Sequence, residues 1–226
     1  KNDLDVPIVT IGEGGKQGII LTCRHHCCES VASYVLQGIM EYILENPEEF
    51  APYTFHIVPF VDLDGVENGD QGKNRIPHDH NRDYIEKPIY ETVCAITKYI
   101  KSLHLLAGID FHCPWKWGDA NDHIAVIKHA EGAIPEVNKF CDFLREITKN
   151  KTIRYRGGHD LVPGQGWLGL EYPLPTAPDY FYSCGAKIVF TLEFPYFGLE
   201  TVYSTQQATD FGENFAKAFK MYLNIK

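Results

Sequence analysis

Two histidines, two cysteines and a glutamate occupy five consecutive positions within the segment RHHCCES, residues 24–30. Imidazole nitrogen, thiolate sulfur and carboxylate oxygen are the usual ligands of zinc, and a catalytic zinc typically uses three protein ligands. His26 and Glu29 are three residues apart, so at a strand-to-helix turn both can converge on one point, whereas His25 would face the other way in an extended chain. Taken alone, a histidine in such a segment is more often a surface or core imidazole than a ligand.

Two further candidates lie at the ends of apolar runs. The run GIDFHCPW places His112 just after a predicted strand, with Asp110 two residues earlier, where an α/β sheet delivers side chains to its carboxyl edge. We predict His112 as the third metal ligand. The run FTLEFPYFG ends a second strand at Glu193, a candidate general base for a metal-bound water. A glutamate at a strand end that simply faces solvent remains the alternative.

The segment HDHNRDY adds polar groups of a different kind. The Arg82 guanidinium suits bidentate recognition of a carboxylate, and the neighbouring Asn81 amide can add a donor. Asp79 is a candidate hydrogen-bond partner for a metal-bound histidine, and Arg75 is a candidate for polarising a carbonyl. A solvated charged turn is the competing interpretation.

The elements that must position these residues alternate along the chain. Short apolar runs rich in β-branched residues predict strands, and helical periodicity lies between them, which favours an α/β sheet with helices on both faces. No linker-like stretch divides residues 1–226, so we expect one domain. Residues 62–84 and 154–182 lack periodicity and are predicted as long loops. The predicted strands are VPIVTIG, GIILTC, YTFHIVPFV, LLAGIDFH, HIAVIKH and AKIVFTLEF, and the predicted helices are 29–44, 89–103, 134–148 and 206–223.

Composition narrows the classes of partner. A formal net charge of −9 disfavours binding to nucleic acid or to an anionic membrane surface, and no apolar run approaches the ~18 residues of a membrane span. Seven cysteines without C-x-x-C spacing argue against a disulfide scaffold and favour a reducing, cytoplasmic setting. The composition does not indicate the oligomeric state.

Four motifs in order resemble those of the zinc carboxypeptidase family of the carboxypeptidase A type. They are H-x-x-E at residues 26–29, D-x-N-R at residues 79–82, the later His112, and T-L-E ending at Glu193. RHHCCES is similar to the R-x-H-P-G-E-S of the cytosolic carboxypeptidase branch, with Cys27 and Cys28 in place of Pro-Gly. The resemblance implies a single catalytic domain built on a mixed, twisted central sheet.

The resemblance also implies roles for individual residues. One zinc ion would be held by His26, Glu29 and His112, and Asp79 would orient His26. Glu193 would activate water, with Arg75 as the residue that stabilises the oxyanion. The substrate, a peptide or peptide-like molecule with a free carboxylate, would be bound by Asn81 and Arg82 and covered by Tyr172.

Two other functions share part of this pattern. An aspartoacylase-like zinc deacylase of N-acyl amino acids also carries H-x-x-E and D-x-N-R, although the late FTLEFPYFG and the tyrosine-rich segment before it favour a carboxypeptidase. A peptide-binding relative without turnover would be expected to lack the base or a ligand. All of these positions are occupied, so we expect a metallopeptidase.

Overall fold

A mixed six-stranded sheet forms the centre of the computed structural model, which describes residues 4–12, 14–115, 123–162, 164–165, 174–198 and 202–224. The strands are Val9–Ile11 (β1), Gln17–Cys23 (β2), Tyr53–Val58 (β3), Leu105–His112 (β4), Ala125–Ile127 (β5) and Ile188–Glu193 (β6). Their order is β1-β3-β2-β4-β6-β5; the four central strands are parallel and both edge strands are antiparallel. Five strands fall within the predicted runs, and β2 begins one residue before its run. The predicted α/β class is confirmed.

Helices cover the sheet, and two of them were not expected. The α-helices are Ser30–Glu45 (α1), Leu63–Asn68 (α2), Glu91–Ile100 (α3), Ile134–Thr148 (α4), Ala177–Ser183 (α5) and Thr205–Asn224 (α6). Four match the periodic segments. Helix α2 lies inside a segment that was predicted as a loop, and all but the last residue of α5 lies inside the other, so the loop prediction was wrong there. Within the described ranges, no helix has the combined length and apolarity that crossing a membrane requires.

The two faces of the sheet carry different helices. On one face, α4 and α6 pack through aromatic rings, with Phe215 in contact with Phe111 of β4 and with Phe140 and Phe190. Each phenylalanine buried there contributes about 2 kcal/mol of hydrophobic stabilisation. On the opposite face, α5 approaches β4 so closely that a Cβ on Gly108 would lie 2.3 Å from the Phe181 ring. This close approach brings the first turn of α5 down toward the carboxyl edge of the sheet.

Candidate active site

The register of the parallel strands places the polar candidates together at one edge. Thr22 of β2 pairs with Asp110 of β4, which pairs in turn with Thr191 of β6. Two residues further on, His112 pairs with Glu193. Because side chains alternate across a strand, these five residues share one face of the sheet. The edge therefore gathers side chains from positions up to 171 residues apart in the chain.

Three side chains converge at this edge in a pattern that suits a metal. Glu29 bridges the two imidazoles: its Oε1 lies 3.0 Å from His26 Nδ1 and its Oε2 lies 2.7 Å from His112 Nδ1. One ligand atom from each residue lies within 4.8 Å of the others. Two nitrogens and one carboxylate oxygen are a donor set that catalytic zinc sites use, so these residues fit the ion that the motifs imply.

Electrostatics within the triplet reflect its burial. Burial alone would raise the pKa of Glu29, but the charges of His112 and His26 hold that pKa well below its ordinary value. Burial would likewise lower the pKa of His26, yet the charge of Glu29 raises it. Lys73 Nζ also lies 2.6 Å from Glu29 Oε1. Nothing in the local sequence around Lys73 pointed to this position.

The turn between β2 and α1 that carries His26 and Glu29 is closed by Arg24. Arg24 has a φ of 63°, a left-handed conformation that is uncommon for a residue with a side chain. Its Nε donates to the Cys27 carbonyl at 2.9 Å, and its Nη1 donates to Ser33 Oγ at 3.0 Å. A buried guanidinium therefore fastens the turn to the first helical turn of α1.

The far side of His112 faces a carboxylate. His112 Nε2 lies 2.6 Å from Asp110 Oδ2, and Asp110 is fully buried. A carboxylate at this distance accepts the Nε2 hydrogen, so Nδ1 is the atom that faces the metal triplet and would bind the ion once its own hydrogen is lost. Burial would raise the pKa of Asp110, but the charges of His112 and His25 hold it below its ordinary value.

His25, expected to play no part, is fully buried behind His112. Its ring contacts Asp110 and Tyr84. His25, Asp110 and His112 also form a second group close enough to hold an ion. Asp110 already accepts hydrogen bonds from Thr22, His25 and His112, at 2.6–2.9 Å, so this group is a hydrogen-bond network rather than a second metal site.

Glu193, the predicted general base, lies in a buried environment. Its side chain is 8% exposed, and among the described residues its Oε2 has no hydrogen-bond partner. Burial, reinforced by the charge of Glu29, raises its pKa to about 7 even though His112 and Lys73 oppose the rise. A carboxylate with a pKa near neutrality is matched to proton transfer at physiological pH.

The loop residues are arranged around a short 3-10 helix, His80–Arg82. Asp79 Oδ1 accepts the Asn81 backbone N–H at 2.8 Å and lies 3.5 Å from His26 Nε2. Asn81 Nδ2 lies 3.1 Å from His112 Nε2, and Asn81 Oδ1 accepts the Ala177 N–H at the start of α5. Asp79 and Asn81 therefore lie directly against the metal triplet, next to the half-buried Arg82.

Arg75 stands apart from this group. Arg75 forms ion pairs with Asp62 and Asp70, and its Nη2 approaches Cys27 Sγ at 4.0 Å. Its guanidinium therefore packs against the turn that carries His26 and Glu29. Tyr172 lies outside the described residues, so its predicted role in covering the substrate stays a prediction.

Comparison with known proteins identifies the family of the chain. The Peptidase_M14 family model, described as zinc carboxypeptidase, matches residues 1–162. Cytosolic carboxypeptidase 6 of Caenorhabditis elegans is 32% identical over 97 residues, which is 38% of this chain and 21% of that protein. The uncharacterized protein ZMO1242 of Zymomonas mobilis is 26% identical over 200 residues, covering 83% of this chain and 50% of that protein.

A solved structure shares the fold. The metallo-carboxypeptidase from Burkholderia cenocepacia superposes with a TM-score of 0.77 over 96% of this chain and 61% of its own, at 17% identity. The chain spans half or less of the length of the curated relatives it matches. Since the family model covers well over half of the chain, the protein belongs to the zinc carboxypeptidase family.

Proposed function

We propose that the protein is a zinc-dependent carboxypeptidase that hydrolyses the peptide or amide bond next to a free C-terminal carboxylate. The observation that carries this proposal is the buried Glu193 carboxylate, with a pKa near 7, beside the His26, Glu29 and His112 triplet. Family membership supports peptide hydrolysis in general, and the proposed zinc content and substrate class go further.

The proposed reaction divides the work between the metal and Glu193. A zinc ion held by His26, Glu29 and His112 would polarise the scissile carbonyl and lower the pKa of the attacking water. Glu193 takes a proton from that water as the water attacks the carbonyl carbon. It then returns the proton to the leaving amine, so the carboxylate is regenerated at the end of the cycle.

Substrate binding is proposed to use the loop on the other side of His112. The guanidinium of Arg82 binds the terminal carboxylate in bidentate fashion. Because His112 Nε2 donates its hydrogen to Asp110, it cannot accept a hydrogen bond from Asn81 Nδ2. The Asn81 amide N–H groups are therefore available for the same carboxylate. We retain Arg75 for oxyanion stabilisation and Tyr172 for closure as proposals.

A substrate panel with metal analysis tests the proposed function. We expect about one zinc per chain, release of a C-terminal amino acid from peptides, and loss of that activity after chelation. Cleavage of N-acyl amino acids but not peptides would instead identify the deacylase alternative. Peptide binding by calorimetry without product would identify a non-catalytic relative.

The cellular setting is also a proposal. All seven cysteines are free thiols in the structure, including the adjacent pair Cys27 and Cys28. Because unpaired thiols persist best in reducing compartments, we propose a cytoplasmic location. Fractionation of cells that express the protein, with redox-sensitive thiol labelling, would test it.

A further inference from the structure

A buried chain of hydrogen bonds runs from Tyr84 through His25 and Asp110 to His112. Tyr84 Oη lies 2.8 Å from His25 Nε2, His25 Nδ1 lies 2.9 Å from Asp110 Oδ1, and His112 Nε2 lies 2.6 Å from Asp110 Oδ2. His25 and Asp110 are fully buried, and Tyr84 is 3% exposed. The proposed carboxypeptidase mechanism makes no use of Tyr84 or His25.

A single assignment of hydrogens satisfies the whole chain. Asp110 is an acceptor only, so His25 must carry its hydrogen on Nδ1 and His112 must carry its hydrogen on Nε2. His25 Nε2 is then an acceptor, and the Tyr84 hydroxyl donates to it. Burial raises the pKa of Tyr84 well above its usual value, so the hydroxyl keeps its hydrogen.

The geometry also restrains the His112 ring itself. The rings of His25 and His112 are stacked, with an interplanar angle of 7° and centroids 5.8 Å apart. Asp110 Oδ1 accepts from both Thr22 and His25, which turns Oδ2 toward His112. Rotation of either the carboxylate or the His112 ring would break at least one of these contacts among buried side chains.

We propose that His25 and Tyr84 are positioning residues, which act through Asp110 to fix the tautomer and ring orientation that present His112 Nδ1 to the metal. This inference rests on the proposed zinc site. A space-filling role would be met at lower cost by apolar side chains, because each buried polar group must find a partner. Here every polar atom of the two side chains is used, in an order that ends at a metal ligand.

The test is zinc affinity, measured by competition with a chromophoric chelator on the full chain. His25→Leu removes both the donor to Asp110 and the stacked ring, and we expect affinity to fall by about 10-fold or more. His25→Asn keeps an N–H near the position of Nδ1 and should recover part of the loss. Tyr84→Phe removes only the hydroxyl and should cost about 3-fold.

Tyr99→Phe is the matched control. Tyr99 Oη also lies 2.8 Å from a histidine, His56 Nδ1, but this pair belongs to α3 and β3 and has no contact with the metal triplet. The zinc affinity of the Tyr99→Phe protein should equal that of the wild type. Cobalt substitution adds a second readout, since a changed visible spectrum in the Tyr84→Phe protein, but not in Tyr99→Phe, reports altered coordination.

The outcomes separate the two proposals. If the wild-type chain binds no zinc, the proposed function fails and this inference fails with it. If the wild type binds zinc while Tyr84→Phe and His25→Asn, both folded by circular dichroism, match Tyr99→Phe in affinity and spectrum, only the positioning role is overturned. Graded loss across the series, without loss in the control, supports it.

Discussion

Replacing Glu193 with glutamine should remove most hydrolysis while leaving the metal site intact. The amide has the size of the carboxylate but cannot accept a proton from water, and Glu193 is not one of the three converging ligands. Positioned general acid–base groups contribute about 100-fold to 10,000-fold. We therefore expect kcat/KM for a C-terminal peptide to fall by at least about 100-fold with zinc content unchanged.

The same substitution has a separate consequence for stability in the metal-free protein. Burial raises the pKa of Glu193 from its ordinary value of 4.5 to about 7, so folding takes up a proton between these values. Stability due to the protonated carboxyl is fully present below pH 4.5 and is lost as the pH rises through 7. This difference in pKa corresponds to about 3 kcal/mol. At pH 8 the free energy of unfolding of metal-free Glu193→Gln should therefore exceed that of the metal-free wild type by about that amount.

Both effects can be measured on one set of proteins. Zinc content and peptide hydrolysis are determined for the loaded forms, and urea unfolding of the chelated forms is followed at pH 8 and pH 5, where most of the stability difference should disappear. Glu213→Gln, on the outer face of α6 where Glu213 pairs with Lys217, is the matched control. Full hydrolysis by Glu193→Gln, or loss of zinc together with activity, would refute the assignment of Glu193 as the base.

Three further substitutions or treatments probe the scaffold of the site. Arg24→Ala removes the guanidinium donors from the ligand turn and should lower both zinc affinity and the free energy of unfolding, the latter by about 3 kcal/mol in urea titrations. Burial raises the pKa of Cys27 to about 12, so its thiol should resist alkylation at pH 7.5 in the native protein, as mass spectrometry of the labelled peptide can check. Gly38→Ala places a Cβ 2.0 Å from the Thr209 carbonyl where α1 crosses α6 and should destabilise by about 2 kcal/mol, whereas Gly158→Ala, with open space around it, should not.

The strands and longer helices were predictable because their signals are local. A run such as residues 105–112 is apolar at every position but one or two, and all eight of its residues are buried in β4. Helix α5 was missed because seven residues are too few to show helical periodicity. Its start was nevertheless marked in the sequence, since Thr176 and Asp179 form a capping box with Pro178 in the first turn.

The metal ligands and their hydrogen-bond network differ in how far sequence could reveal them. His26 and Glu29 are three residues apart in the turn before α1, where the Glu29 N–H donates to the His26 carbonyl, so their convergence follows from local geometry. The role of His25 depends on Asp110, 85 residues away, and on the β2–β4 register that places Thr22 opposite Asp110. Register between parallel strands is set by packing across the whole sheet, and no local pattern around His25 reports it.

The cysteine pair that replaces Pro-Gly raises the question of what holds the ligand turn in shape. Cys27 is buried, its thiol donates to the Asp70 carbonyl at 3.0 Å, and a Cβ on Gly72 would lie 2.7 Å from its backbone nitrogen. Its carbonyl is held by Arg24 on the other side. The turn is thus clamped between a guanidinium from the end of β2 and the loop that carries Arg75, so side-chain contacts supply the rigidity that proline would otherwise give. On this argument Cys27 is a packing residue rather than a redox sensor, and zinc content should be unchanged by mild oxidation.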